Sequence, residues 1–101
     1  MEYRVIISDR AKQMLGQHIH FLAQVNKSAA VELKKRFVEE FRSLRFLPQR
    51  NPFLYADFIP PNKYHKLTVK NWFLVLYQIR DDTVYVDWII GCRQDYEWLL
   101  K

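Results

Sequence analysis

The last third of the chain constrains the fold most, because it contains three consecutive runs of strand-forming residues. These runs cover residues 64–69, 72–79 and 84–90, and each is rich in aromatic and β-branched side chains. Arg80-Asp81-Asp82-Thr83 separates the second run from the third and has the composition of a tight turn. The second run is apolar almost throughout, which is typical of a strand covered on both faces or lying in mid-sheet. We therefore expect two antiparallel strands joined by a short turn, with another strand before them.

A short strand and two helices are predicted for the first half of the chain. Residues 3–7 alternate in polarity, as a strand does, and Ser8 and Asp9 are natural N-caps for a helix that runs to about Asn26. Asn26 and the two residues after it interrupt the pattern and cap a second helix, which is predicted to end near residues 47–48. Apolar residues recur at three- and four-residue steps in both helices, so we expect an antiparallel hairpin lying across one face of the sheet.

The predicted fold class is α+β, with the order β-α-α-loop-β-β-β. All four prolines lie between Pro48 and Pro61, so this connection is expected to be extended, without helix, and held to the body by its aromatic residues. A helical hairpin would pack on a small, mostly antiparallel sheet, followed by a short C-terminal segment from Gln94. At 101 residues, the chain is predicted to form a single domain over residues 1–101.

Composition places the chain among globular proteins with a mildly basic surface. Half of its residues are hydrophobic, and the net charge of +5 allows a nucleic acid or an acidic protein as partner. The single Cys92 excludes an intramolecular disulfide and is typical of a reducing cytosol. No signal peptide or membrane-spanning stretch is predicted, so we expect a soluble cytoplasmic protein. Because no Cys-His ligand pattern is present, we expect no metal and no cofactor.

Two places carry residues suited to chemistry on a phosphate. In Tyr64-His65-Lys66, strand alternation puts His65 on the face opposite the other two. A histidine can move protons and a lysine can neutralise phosphate, but the same residues would also keep an edge strand soluble. Arg93 follows the last strand and can either bind a phosphate with two donors or pair with a neighbouring carboxylate. From the residues alone, both alternatives remain open at each place.

Four segments resemble the RelE/ParE toxin superfamily, and the resemblance extends over nearly the whole chain. The segments are Tyr64-His65-Lys66-Leu67, Trp72-Phe73-Leu74-Val75-Leu76-Tyr77-Gln78-Ile79, Asp81-Asp82-Thr83-Val84-Tyr85-Val86 and Cys92-Arg93-Gln94-Asp95-Tyr96. The resemblance implies the toxin of a two-component toxin–antitoxin module of the plasmid-stabilisation type, neutralised by a small antitoxin protein that wraps around it. RelE-like members cleave mRNA in the ribosomal A site, whereas ParE-like members inhibit DNA gyrase without catalysis.

The resemblance also implies a set of site residues. Residues 92–96 look like the Cys-Arg-Tyr-His-Tyr ending of the YoeB branch, although Asp95 stands where that branch has a histidine. Carried over position by position, the implied catalytic residues are Arg93 and Tyr96. Lys66 approximates a basic position of the family, and the adjacent His65 could supply the base that Asp95 replaces, so both are included in the catalytic set. The implied substrate-binding residues are Lys70, Arg80 and Asp95.

One position departs from the family pattern and opens an alternative. Residues 73–77 read Phe-Leu-Val-Leu-Tyr where the family has Tyr-Arg-Val-hydrophobic-Tyr, so Leu74 replaces a phosphate-binding arginine. The leading expectation is a metal-independent, ribosome-dependent mRNA endoribonuclease that inhibits translation, with the ribosome, mRNA and an antitoxin as partners. The alternatives are a ParE-like gyrase inhibitor, which Leu74 favours, and a diverged non-toxic member that binds only its antitoxin.

Overall fold

The computed structural model describes residues 2–55, 57, 59–70 and 72–91. The helices and strands are β1 (Arg4–Ile7), α1 (Asp9–Val25), α2 (Lys27–Ser43), β2 (His65–Val69), β3 (Phe73–Arg80) and β4 (Thr83–Gly91). This order confirms the predicted α+β arrangement. Two details differ: α2 ends at Ser43, earlier than expected, and one turn of 3-10 helix over Pro48–Arg50 interrupts the connection that was predicted to lack helix.

The helical hairpin begins and turns at side-chain caps. The Ser8 side-chain oxygen accepts a hydrogen bond from the Ala11 amide at 3.0 Å, and Asn26 Oδ1 accepts one from the Ala29 amide at 3.0 Å. Each cap satisfies an amide of the first helical turn that has no partner within its helix, which stabilises the helix by about 1 kcal/mol. Asn26 also donates its own amide to the Leu22 carbonyl at 2.7 Å and so ends α1. One residue, Asn26, therefore joins the two helices, where the sequence predicted an interruption of about three residues.

The sheet has the strand order β1-β4-β3-β2. β1 runs parallel to β4, whereas the β2–β3 and β3–β4 pairs are antiparallel. Asp81 and Asp82 form the turn between β3 and β4, and Asp81 has a φ of 55°, a backbone conformation that aspartate tolerates better than most residues. The expected mid-sheet position of β3 is confirmed.

The core lies between the helices and one face of the sheet. The largest fully buried side chains come mainly from α2 and from β2 to β4 and include Leu33, Phe37, Val69, Val75, Tyr77, Val84, Val86 and Ile89. Each large apolar side chain removed from water in this way contributes about 1.5–3 kcal/mol to folding. The opposite face of the sheet, which the helices do not cover, is called the open face below. No helix in the described part of the chain combines the length and apolar character needed to span a membrane.

A β-bulge in β4 sets which side chains reach the open face. Leu76 pairs with Trp88 and the next residue, Tyr77, pairs with Val86, so Asp87 is an extra residue in the strand. The bulge shifts the alternation by one position, which places Asp87 and Trp88 together on the open face. Trp88 is only half-buried there.

Candidate functional site

The open face carries an apolar groove with a polar rim. The groove has a volume of about 740 Å³, and its lining residues come from α1, the connection before β2, and the three strands β2 to β4 or their ends. They are Arg10, Leu54, Ile59, Pro60, Lys63, Tyr64, Leu74, Leu76, Trp88 and Ile90. We call this set the open-face groove.

The floor of the open-face groove is formed by two cross-strand pairs. Leu74 pairs with Ile90, and Leu76 pairs with Trp88 across the β-bulge. Successive side chains of β3 point to opposite faces of the sheet, so Val75, between Leu74 and Leu76, points into the core. The uninterrupted apolar run seen in the sequence therefore covers both faces. Four apolar side chains thus meet on a surface that has no helix above it.

Arg10 forms one rim of the groove from the first turn of α1. Its guanidinium carbon lies 3.6 Å from the centroid of the Trp88 ring, and its Nε donates to the Asp87 carbonyl at 3.4 Å. A planar cation stacked on indole holds the ring in place while leaving the other donors of the guanidinium available. Arg10 therefore joins the start of α1 to the bulge in β4 and presents positive charge beside an aromatic surface.

Asp87 organises a polar cluster at the same rim. Its Oδ2 accepts hydrogen bonds from the Tyr64 hydroxyl at 3.1 Å and from Gln78 Nε2 at 2.7 Å. The pKa of Tyr64 is raised above its usual value, mainly because the side chain is buried and also because the negative Asp87 carboxylate lies nearby. Tyr64 is therefore held as a neutral hydrogen-bond donor. Lys63 Nζ lies 5.4 Å from the centroid of the Tyr64 ring.

His65, the predicted proton-transfer residue, lies on the other face of β2. It is 8% exposed, and its Nδ1 donates to the Asn51 carbonyl at 2.7 Å. Its ring stacks between Phe53, at 4.1 Å between ring centroids, and Tyr77, at 5.2 Å. This environment fastens the connection to the sheet and separates His65 from the open-face groove. Its predicted catalytic role stays a prediction.

The other predicted site residues are spread over the sheet. Lys66 lies on the open face, half-buried, opposite Leu76. Lys70 and Arg80 are both exposed, but Lys70 follows β2 beside the start of β3, whereas Arg80 ends β3. The two ends of β3 are seven residue steps apart, roughly 23 Å at 3.3 Å per step. Lys70 and Arg80 are therefore not brought to one place.

The remaining predicted residues, Arg93, Asp95 and Tyr96, lie outside the described residues. The described part of β4 ends at Gly91, which pairs with Phe73 at the Lys70 end of the sheet. The predicted roles of these three residues stay predictions.

Sequence reasoning missed Arg10, Tyr64, Gln78 and Asp87 as a group. Only Asp87 carries a signal in the sequence, since it is a charged residue in the middle of an apolar strand run. Its partners are contributed by α1, β3 and the residue before β2, so their convergence depends on tertiary structure. Within the described ranges, no three His, Cys, Asp or Glu side chains come together in a way that could hold a metal ion.

Comparison with known proteins identifies the fold. No family model and no curated protein matches the chain. Among solved structures, a chain of the chromosomal ParDE TA system from P. aeruginosa is similar, with a TM-score of 0.72 and 14% sequence identity. The match covers 91% of this chain and 98% of that chain. The predicted resemblance is confirmed for the fold: this chain shares its fold with that chain of the ParDE system.

Proposed function

We propose that this chain is the toxin of a type II toxin–antitoxin module and that it acts by binding a protein target, as ParE-like gyrase inhibitors do. The observation that carries the proposal is the open-face groove, with Leu74, Ile90 and Trp88 on its floor and Arg10 and Tyr64 at its rim. Tryptophan, tyrosine and arginine beside a desolvated apolar surface are the residue types that dominate binding energy at protein interfaces. The similarity to a ParDE chain supports the toxin assignment.

The chemistry of the groove is poorly suited to cleavage of RNA. Cleavage needs cations around the scissile phosphate and groups that move protons within hydrogen-bond reach. On this part of the sheet, the family's arginine position is occupied by Leu74, and His65 lies on the opposite face of the sheet. A phosphate placed on this floor would lose hydration, and the floor side chains Leu74, Leu76 and Ile90 offer it no hydrogen-bond donor. An apolar anchor of a protein target would gain from the same surface.

An antitoxin is the second partner in this proposal. The chain carries a net charge of +5 and exposes Lys34, Lys35 and Arg36 on α2. An acidic segment would be attracted to such a surface, and the ParDE neighbour belongs to a toxin–antitoxin system.

A ribosome-dependent endoribonuclease is the second candidate function. Two observations favour it: Lys66 lies on the open face, and the sequence of residues 92–96 resembles the YoeB ending. In this case Arg93 and Tyr96 would supply the phosphate contact and the proton transfer, and the ribosome would bring mRNA to the same face.

The two functions are separated by expressing the chain without its antitoxin and reading plasmid supercoiling and mRNA 5′ ends from the same cultures. We expect altered supercoiling with intact mRNA. Leu74→Lys, which places a charge on the groove floor, should abolish the growth defect. Val38→Lys is the matched control, because Val38 is an exposed apolar residue on α2, remote from the open face. New codon-phased 5′ ends that disappear in Arg93→Ala would instead establish the ribonuclease, and normal growth of the wild type would reject toxicity altogether.

A further inference from the structure

The two edges of the sheet differ in how far main-chain hydrogen bonds cover them. The β2 edge is covered by residues 52–54, since the Lys66 amide donates to the Pro52 carbonyl at 2.8 Å and the Leu54 amide donates to the Tyr64 carbonyl at 2.7 Å. At the β1 edge, the Tyr3 amide donates to the Arg45 carbonyl at 2.6 Å, and no further main-chain bond covers β1 in the described part of the chain. An uncovered edge strand is a template for another strand.

The register with β4 shows which groups of β1 are available. The amides of Arg4 and Ser8 donate to carbonyls of the β4 side, Asp82 and Val86, each at 2.9 Å. In a parallel pair, alternate residues of a strand bond to the same neighbour. Val5 and Ile7 therefore direct their amide and carbonyl groups away from the sheet, along the uncovered edge.

Exposed apolar side chains lie along the same edge. Ile6 is 42% exposed, and Phe46 and Leu47, which follow directly after Arg45, are 56% and 60% exposed. A cleft of about 450 Å³ lined by Glu2, Tyr3, Arg4, Val5 and Arg45 runs beside the strand. The edge thus combines free main-chain groups, adjacent apolar surface and open space.

We propose that a second copy of this chain pairs with β1 in the antiparallel direction, related by a two-fold axis at Ile6. In this register Val5 of each copy lies opposite Ile7 of the other, so both outward-directed residues form hydrogen-bonded pairs. Ile6 lies opposite Ile6 in the non-hydrogen-bonded pair, where side chains are closest, and its exposed surface becomes buried. The two sheets join into one of eight strands.

The charges beside the edge suit a second copy better than an acidic segment. The charges of Glu2, Arg4 and Asp9 alternate in sign along β1 and its two ends, and Glu2 is already paired with Arg45 at 2.5 Å. An acidic partner would meet carboxylates here as well as cations. In the proposed register, Arg4 lies opposite Ser8 of the second copy and next to that copy's Asp9, so opposite charges approach each other.

Sedimentation of the full chain from micromolar to millimolar concentration tests the proposal. We expect the weight-average mass to rise toward twice the chain mass, and the Ile7 amide to become protected from hydrogen exchange over the same range. Val5→Pro removes an outward amide but none of the amides that bond β4, so it should abolish the mass increase while the fold persists. Ile6→Lys places two cations against each other and should weaken association at least tenfold.

Val31→Lys is the control for Ile6→Lys. Val31 is an exposed apolar residue like Ile6, with 58% of its surface exposed, but it lies on α2 and not at the β1 edge. It should associate like the wild type. A chain that stays monomeric throughout the concentration range overturns the proposal. So does association that Val5→Pro and Ile6→Lys leave intact while circular dichroism shows both variants folded. Protection of Ile7 that develops only on addition of an antitoxin peptide would assign the edge to that partner and likewise overturn the proposal.

Discussion

Arg10 and Trp88 are stacked, with the guanidinium carbon 3.6 Å from the centroid of the indole ring. The two residues are far apart in the sequence and meet because α1 begins where β4 bulges. The contact fixes the Trp88 ring, which forms part of the floor of the open-face groove. It also places the Arg10 cation at the rim of the groove.

Arg10→Ala should reduce toxicity strongly and stability slightly. Loss of an exposed cation–π contact costs about 0.5–1 kcal/mol, which urea unfolding would measure. Loss of the rim cation and of a fixed Trp88 ring should matter more for target binding, which is read as recovery of growth during expression. Arg10→Lys should be intermediate, since an ammonium keeps the charge but not the planar stack. Lys12→Ala, a neighbouring exposed cation on α1, is the control, and an equal recovery of growth there would contradict the assignment.

Tyr77→Phe should destabilise the fold without touching the groove. The buried Tyr77 hydroxyl donates to the Pro48 carbonyl at 2.6 Å and accepts from Asn51 Nδ2 at 2.9 Å. Removing it leaves two polar partners unsatisfied, and we expect a loss of about 1–3 kcal/mol in the free energy of unfolding. Tyr85→Phe is the control, because the Tyr85 hydroxyl makes no hydrogen bond within the described ranges, and it should cost less than about 0.5 kcal/mol. If both variants lost equal free energy of unfolding, the hydrogen bonds of the Tyr77 hydroxyl to Pro48 and Asn51 would not be what holds this part of the connection before β2 to the sheet.

The elements of this fold that depend on local sequence were predicted well. The caps at Ser8 and Asn26, both helices and the β3–β4 turn follow from side chains that act on their own backbone neighbourhood. The end of α2 was placed too late, because Leu44 continues the apolar stripe into the turn that follows the helix. Burial of Leu44 in the core, where it is 0% exposed, does not require helical backbone.

The candidate site was predicted less well, since it depends on long-range pairing. The bulge at Asp87 arises from how β3 and β4 pair, and no residue type in β4 predicts it. His65 was predicted from its residue chemistry, whereas its contacts with Asn51, Phe53 and Tyr77 come from other parts of the chain and could not be predicted from the sequence around it. Sequence spacing gives the face of a strand on which a residue lies. It does not give the partners that decide its role.

His18 should make the protein less stable as the pH falls below about 6.5. Burial lowers the pKa of His18, although its Nε2 hydrogen bond to the Ile89 carbonyl at 3.2 Å opposes that shift. The unfolded chain therefore takes up a proton before the folded chain does, so this stability is present above the unfolded pKa and is lost as pH falls through the folded pKa. Urea midpoints at pH values on both sides of this range measure the effect.

The variant His18→Gln should flatten that dependence, because it cannot titrate. His20→Gln, on the exposed side of α1, should leave it as in the wild type. If His18→Gln kept the full decline, another group would be responsible for it.

Tyr64 should make the protein less stable at alkaline pH. Its pKa is raised by burial and by the Asp87 carboxylate, so above about pH 10 the unfolded chain releases a proton that the folded chain retains. This stability is present below the unfolded pKa and is lost as pH rises through the folded pKa. Tyr77, whose pKa burial also raises, contributes a decline of the same sign and must be separated from it.

The contributions of Tyr64 and Tyr77 can be separated by titrating the variants Tyr64→Phe, Tyr77→Phe and Asp87→Asn to alkaline pH. Tyrosinate absorbance and the urea midpoint of unfolding are the two readouts. Tyr64→Phe should remove one late-ionising tyrosine and part of the alkaline decline, and Tyr77→Phe should remove a different one. Asp87→Asn keeps an oxygen that can accept from the Tyr64 hydroxyl but removes the charge, so Tyr64 should ionise at lower pH than in the wild type while staying above its usual value. An unchanged titration in Asp87→Asn would mean that the carboxylate does not act on Tyr64. The polar cluster would then hold the rim of the groove by hydrogen bonding alone.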